Sequence, residues 1–292
     1  MPDLDEPSTE TSEELFGLKS QWLESGPDRY HYHDAGTGTP MLLLHGSAVG
    51  VTAAVNWYAN FADLAHSARI LAVDLLGYGF TEYAESTEVS LAGWVDQVIR
   101  LLDGLGIDRV VLVGNSLGGR VALETSVLHP ERVAGLITMG SPGPHHRRTE
   151  VVKGHATPVY TREGIYSVMA DMVNDQAVIW DKLVDFRYSL ALTDAAQRRW
   201  PQTVSARDAA ALNTVDADAI TTFSMPATVF HGREDKVVPS FNAIDLAGAI
   251  PRADLVVLNH CGHWVQIERR ATFNAIVLAT LARVESEEAA SR

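Results

Sequence analysis

The 292-residue chain carries 23 basic and 37 acidic residues, a net charge of −14, and is 46% hydrophobic. Such a balance is ordinary for a globular protein and argues against nucleic-acid or anionic-membrane binding as the main activity, because both surfaces would repel it. No apolar run approaches the ~18 residues of a membrane helix, no basic–apolar leader opens the chain, and one cysteine cannot form an internal disulfide, so a cytoplasmic protein is expected.

Residues 1–14 are acidic, with Pro, Ser and Thr, and are expected to form a disordered tail; ESEEAASR at 285–292 reads the same way. Between the tails, short apolar runs alternate with helical patterns. MLLLH (41–45), RILAVD (69–74), RVVLVGN (109–115), VAGLITM (133–139), ATVFHG (227–232) and DLVVLN (254–259) read as buried strands. Each is too short for a free-standing helix and is bounded by Gly, Pro, Asp or Asn. SLAGWVDQVIRLLDGLG (90–106) and RRATFNAIVLATLARV (269–284) repeat apolar residues at three and four and read as helices. Strands alternating with helices predict an α/β fold, with a mostly parallel central sheet covered by helices on both faces.

The alternation breaks once. From Pro142 to about Val215 no strand is expected, and QAVIWDKLVDFRYSLAL (176–192) sets Ile179, Leu183, Phe186 and Leu190 on one helical face. The chain therefore divides into a core (15–142 and 216–284) and an inserted helical cap (143–215) over the carboxyl ends of the strands, where open α/β folds bind ligands. The cap holds nine basic against eight acidic residues, so a small anionic molecule meets less repulsion there than over the rest of the surface.

VGNSLGGR (113–120) follows a predicted strand and opens a helical pattern from Leu117 to His129. Gly114-Asn115-Ser116-Leu117-Gly118 matches the nucleophile-elbow pattern Gly-x-Ser-x-Gly. The bare pattern arises by chance in roughly one such chain in ten, so the strand–turn–helix context carries the reading. A phosphate-binding loop fails, because neither glycine-rich phosphate motif is present in the required setting. A serine nucleophile needs a base, and the base an orienting acid, in the chain order Ser, Asp/Glu, His. HGREDKVVP (231–239) offers Asp235, with Glu234 as its rival, and NHCGHWVQIE (259–268) offers His260 or His263. His263 is preferred, since His260 directly follows the apolar run and is placed to close a turn. Zinc spacing is absent around Cys261, which reads as a small packing residue rather than a metal ligand or nucleophile. Oxyanion donors are expected from the backbone N–H groups of Leu117 and of Ser47, in HGSAVG (45–50). His45 and Asp74 precede the serine, the wrong chain order for a triad, and read as structural.

In LLLHGS, VDLLGYGFTE, VGNSLGG, HGREDKVVP and CGHWVQIE the sequence resembles the α/β-hydrolase family over about residues 28–283. It is most similar to the meta-cleavage product hydrolases, through GVTAAVNW (50–57), Asn115 before the nucleophile, Arg187 in FRYSLAL, and Trp264 directly after His263. The resemblance implies a serine-dependent hydrolase that splits the carbon–carbon bond of a 2-hydroxy-6-oxo-hexa-2,4-dienoate, by ketonisation and then hydrolytic fragmentation. It implies Ser116, Asp235 and His263 as the triad, Arg187 for the substrate carboxylate, and Asn115 and Trp264 lining the pocket. No cofactor, metal or nucleic acid is implied, and a homo-oligomer is left open. One loop departs from the family pattern, reading Gly46-Ser47-Ala48-Val49-Gly50 where Gly-Ser-Gly-Pro-Gly is expected. The rival readings are a carboxylesterase or lactonase using the same triad, and a ligand-binding receptor built on the same fold. A dehalogenase is excluded because the elbow holds Ser116 and not an aspartate.

Overall fold

A computed structural model describes residues 7–144, 160–212 and 215–290. Among them, strands β1 (Gln21–Ser25), β2 (Asp28–Ala35), β3 (Pro40–Leu44), β4 (Arg69–Val73), β5 (Val110–Asn115), β6 (Val133–Met139), β7 (Ala227–Gly232) and β8 (Ala253–Leu258) form one sheet. Their order across it is β1-β2-β4-β3-β5-β6-β7-β8. The β1–β2 and β2–β4 pairs are antiparallel; all the others are parallel.

Strands β3 to β7 are buried almost throughout, which is why they read as continuous apolar runs rather than alternating ones. Helices α1 (Thr9–Phe16), α2 (Ala53–Trp57), α3 (Phe61–Ala65), α4 (Leu91–Gly104) and α5 (Leu117–Leu128) belong to the first half of the chain. Ser90 caps α4 by accepting from Gly93 N–H at 3.1 Å, and the buried Trp94 of that helix donates its indole N–H to Leu76 O at 2.9 Å. After β6 come α6 (Arg162–Met172), α7 (Asp181–Leu192), α8 (Asp194–Leu212) and the short α9 (Ala217–Ile220). The chain closes with α10 (Phe241–Ala249), α11 (Val265–Glu268) and α12 (Arg270–Ala290). Helices α4 and α5 pack together on one face of the sheet, and α3 and α12 on the other. No helix among the described residues is long and apolar enough to cross a membrane.

The register positions the site. Leu44 lies beside Gly114, Asn115 beside Met139, and Phe230 beside Val256. The carboxyl ends of β3, β5, β6, β7 and β8 are thereby level, and the loops that follow them gather along one edge of the sheet.

Several expectations need correction. The hairpin β1–β2 was not legible, because its charged and partly exposed residues lack a long apolar run. Residues 9–14, expected to be disordered, are helical. Ser8 and Thr11 form a capping box, and Phe16 at the end of α1 packs on Tyr58, Trp180 and Phe186 at 5.6, 6.2 and 5.2 Å between ring centroids. Residues 285–290, also expected as tail, extend α12, where Glu288 pairs with Arg109 at 2.8 Å and Glu287 with Arg252. Strand β8, expected to be buried, is the edge of the sheet, with Leu255 and Val257 exposed. The helix expected over 176–192 starts only at Asp181, after a single 3₁₀ turn. Of the segment 143–215, residues 145–159, 213 and 214 lie outside the described residues; most of the others are helical.

Candidate active site

Strand β5 ends at Asn115 and α5 begins at Leu117, so Ser116 alone makes the turn, at φ 53° and ψ −112°. A positive φ on a residue with a Cβ is strained and persists only where neighbours hold it. Here Ser116 N–H donates to Met139 O at 2.8 Å, and Ser116 O accepts from Arg120 N–H at 3.1 Å. The flanking glycines are required by proximity. A Cβ on Gly118 would lie 2.1 Å from Leu44 O, and one on Gly114 would lie 2.4 Å from the Gly118 carbonyl carbon. The hydroxyl faces a cavity and has no hydrogen-bond partner among the described residues. Behind it, Leu117 N–H is the first orphan donor of α5, at the positive end of the helix dipole.

Asp235 sits in the turn after β7. Its Oδ1 accepts from Val237 and Val238 N–H at 2.7 and 2.9 Å, which aims Oδ2 at His263 Nδ1, 2.8 Å away. Burial pushes the Asp235 carboxyl up, but His263, His231 and the Val238 N–H together hold it below its ordinary value. A carboxylate can only accept, so Nδ1 of His263 carries the proton and Nε2 is left as the basic nitrogen. The histidine loop is fixed from two sides. His263 and Trp264 N–H both donate to Met172 O, at 2.7 and 3.1 Å, and Glu268 accepts from Gly262, Asn174 and Asp175 N–H at 2.6, 2.8 and 2.7 Å.

The alternatives separate cleanly. Glu234 accepts from Cys261 N–H at 2.9 Å, so it braces the loop and does not touch the imidazole. His260 is exposed and takes a left-handed turn conformation, φ 53°. Cys261 is fully buried, and burial together with Glu268 pushes its thiol up to about 12. Asp74 directly follows β4, an interior strand, and is bonded to His31 Nδ1 at 2.8 Å and to the N–H groups of Ala53 and Phe80 at 2.6 and 2.9 Å. Burial pushes its carboxyl up, but His31, His45 and the Ala53 N–H together bring it down to about 2.

Ser116 and His263 line one cavity of about 80 Å³, which Ser47, Asn115, Arg187 and Trp264 also line. Arg187, on α7, is 1% exposed. Its Nη2 donates to Val49 O at 2.8 Å, while Nε and Nη1 have no partner among the described residues. Burial lowers its guanidinium to about 10, and its central carbon lies 5.8 Å from the Trp264 ring centroid. The other two arginines of the cavity have carboxylate partners: Arg120 has Glu124 at 2.7 Å, and Arg207 has Asp208 at 2.8 Å.

Sequence reasoning missed Asn56, whose buried Nδ2 is also unpartnered in this cavity. Asn56 lies within GVTAAVNW (50–57), a stretch that carried the family resemblance, but nothing in that stretch singled out this asparagine, because an asparagine there is as readily a capping residue. Arg207 and Asp208 were missed for a similar reason. On a long polar helix, which residues turn inward depends on the packing of that helix.

The chain matches the family model for the alpha/beta hydrolase fold over residues 39–270. It is 35% identical over 272 residues to a 2-hydroxymuconate semialdehyde hydrolase of Pseudomonas sp. (strain CF600), covering 88% of this chain and 92% of that one. Its structure superposes on a meta-cleavage product hydrolase from Pseudomonas fluorescens IP01 with a TM-score of 0.86 at 30% identity, over 90% of this chain and 97% of the other. It also superposes on a 2-hydroxy-6-oxo-6-phenylhexa-2,4-dienoate hydrolase from Rhodococcus sp. strain RHA1, with a TM-score of 0.85 at 27% identity, covering 91% and 99% of the two chains.

Proposed function

This chain belongs to the α/β-hydrolase fold family and, within it, to the meta-cleavage product hydrolases, and from that membership and its cavity we infer which residues do the work. It is a hydrolase of carbon–carbon bonds, acting on a 2-hydroxy-6-oxo-hexa-2,4-dienoate. The observation that carries the residue assignment is Arg187, a buried cation with two free donors in the cavity that holds Ser116 and His263. A buried guanidinium is costly unless something anionic meets it, and the carboxylate end of a dienoate supplies that partner in a planar, bidentate form. Asn56 and Asn115 line the same cavity, and Trp264 provides an apolar wall beside Arg187.

With the carboxylate so held, carbon 6 lies toward Ser116. Protonation at carbon 5 converts the dienol to its keto form, and His263 carries that proton. Attack on the carbon 6 carbonyl then generates an oxyanion, received by the N–H groups of Leu117 and Ser47. The bond between carbons 5 and 6 breaks, and its electron pair leaves as a dienolate stabilised through the keto group. Water is consumed overall: hydroxide ends on carbon 6, giving a carboxylic acid, and the proton ends on the five-carbon 2-hydroxydienoate. Asp235 keeps Nε2 of His263 basic throughout. The helices within 160–212 serve as a cap over the cavity, and Arg187 is their contribution to carboxylate binding. The enzyme works in the cytoplasm on a small anionic substrate.

The test follows the loss of dienolate absorbance for a panel of ring-fission products and a simple aryl ester, with wild type and Ser116→Ala. Rapid dienoate loss, slowed by orders of magnitude in the variant while its melting temperature holds, is the expected result. Fast ester cleavage with inert dienoates would replace this assignment with a carboxylesterase.

A further inference from the structure

We propose that His45 is a positioning residue for the oxyanion hole, acting through the carbonyl of Gly46 to aim the Ser47 N–H at the reacting carbon. His45 is fully buried at the carboxyl end of β3, next to the cavity loop. Its Nε2 lies 3.0 Å from Leu75 N, and its Nδ1 lies 2.7 Å from Gly46 O. A backbone N–H can only donate, so Nε2 must be the bare, accepting nitrogen. The ring proton therefore sits on Nδ1 and is donated to Gly46 O. Both ring nitrogens are used, and the tautomer is set by the backbone of a different loop.

The consequence runs through one peptide plane. Gly46 and Ser47 are joined by a planar trans peptide, in which C=O and N–H point in opposite directions. With the Gly46 carbonyl turned inward onto the His45 ring, the Ser47 N–H is turned outward, to the cavity shared with Ser116 and Leu117. That N–H donates to no acceptor among the described residues, and neither does that of Leu117. The same loop is held at two further points. Tyr78, whose ring meets that of His45 edge-on at 5.1 Å, donates its hydroxyl to Ser47 Oγ at 2.5 Å, and Arg187 donates to Val49 O. Among the described residues, the His45 bond is the contact that holds the Gly46 carbonyl itself, and so the rotation of the Gly46–Ser47 peptide. The His45 ring at the head of the loop, with Tyr78 and Arg187 from outside it, thus imposes a geometry that Ala48 and Val49, lacking the freedom of glycine or the rigidity of proline, do not impose.

This inference rests on the oxyanion role given to Ser47 and Leu117 above. The reaction has an internal control, because the oxyanion forms at carbon 6 only in the fragmentation stage. His45→Phe removes donor and acceptor together, whereas His45→Gln keeps one of each. In stopped-flow absorbance measurements, His45→Phe is expected to ketonise the dienoate within about twofold of wild type. Fragmentation should slow by about 10²-fold, the cost of losing one oxyanion donor, so that the keto intermediate accumulates; His45→Gln should recover part of the loss. A purely structural role would lower both stages by one factor through the fraction of folded enzyme, and that outcome, or unchanged fragmentation, overturns the proposal. Binding of a phenylboronic acid, whose tetrahedral adduct on Ser116 places an anionic oxygen in the hole, tests the same point without a dienoate. Affinity should fall about 10²-fold in His45→Phe, and equal affinity would sink the proposal even if wild type turned over no dienoate, which would instead count against the substrate assignment.

Discussion

Arg187→Met separates what this side chain does for the substrate from what it does to the fold. In the folded protein, burial lowers the guanidinium from its ordinary 12.5 to about 10. A base whose folded value is depressed costs stability at every pH below that value, and the cost disappears only above the unfolded value. At pH 7 the full penalty applies, about 3 kcal/mol at ~1.4 kcal/mol per pH unit. The bond to Val49 O returns roughly 1–2 kcal/mol, and because Val49 is only partly buried, water can take that place in the variant. Methionine of similar length should therefore leave the free enzyme about 1–2 kcal/mol more stable, raising its melting temperature by a few degrees. Catalysis should move the other way. Two charge-assisted bonds to a carboxylate contribute about 1.5–3 kcal/mol each, so kcat/KM for dienoates should fall by about 10² to 10⁴, while a neutral aryl ester is hydrolysed as before. A dienoate product analogue should raise the melting temperature of wild type and not of the variant. A less stable variant that lost ester and dienoate activity by one common factor would refute the reasoning and make Arg187 a structural cation.

Two further outcomes can be checked simply. Asp74 is held down at about 2, against an ordinary 3.8, so its contribution to stability is present above about pH 4 and is lost as pH falls through 2. Asp74→Asn should cost about 2 kcal/mol at pH 7 and flatten the stability curve between pH 4 and 2, read from urea midpoints; an unchanged curve would mean that His31 and the backbone donors do not hold this carboxylate. Cys261, with its thiol pushed up to about 12, is roughly one part in 10⁴ thiolate at pH 8. Native enzyme treated with iodoacetamide should stay unmodified and active, whereas rapid alkylation with loss of turnover would reopen the cysteine as a nucleophile.

What the sequence determined by itself was whatever depends on local pattern or on covalent order. Continuous apolar runs such as RVVLVGN could only be strands covered on both faces, because an exposed face would demand alternation. The glycines around Ser116 were legible because the strand–helix crossing admits no Cβ, and the order of serine, acid and histidine is a property of the chain itself. The amphipathic hairpin and the N-terminal helix were hidden, since Phe16 anchors its helix against Tyr58, Trp180 and Phe186, and the last two, though close in space, are more than 160 residues away in the chain.

Tertiary structure alone decided which neighbours meet. Glu234 and Asp235 are adjacent in the sequence and equal in charge, yet the turn after β7 sends one to the Cys261 backbone and the other to His263. Arg187 is one of several cap arginines; what distinguishes it is that two of its donors are buried in the cavity with no partner among the described residues, while Arg120 and Arg207, which line the same cavity, each have a carboxylate. His45 reads as an unremarkable buried histidine until Leu75 N–H is found against its Nε2, which sets the tautomer and, through one rigid peptide, the direction of a donor in the cavity. Pairings of that kind lie outside any sequence pattern, because burial and hydrogen-bond direction are set by residues that the fold, and not the chain, brings together.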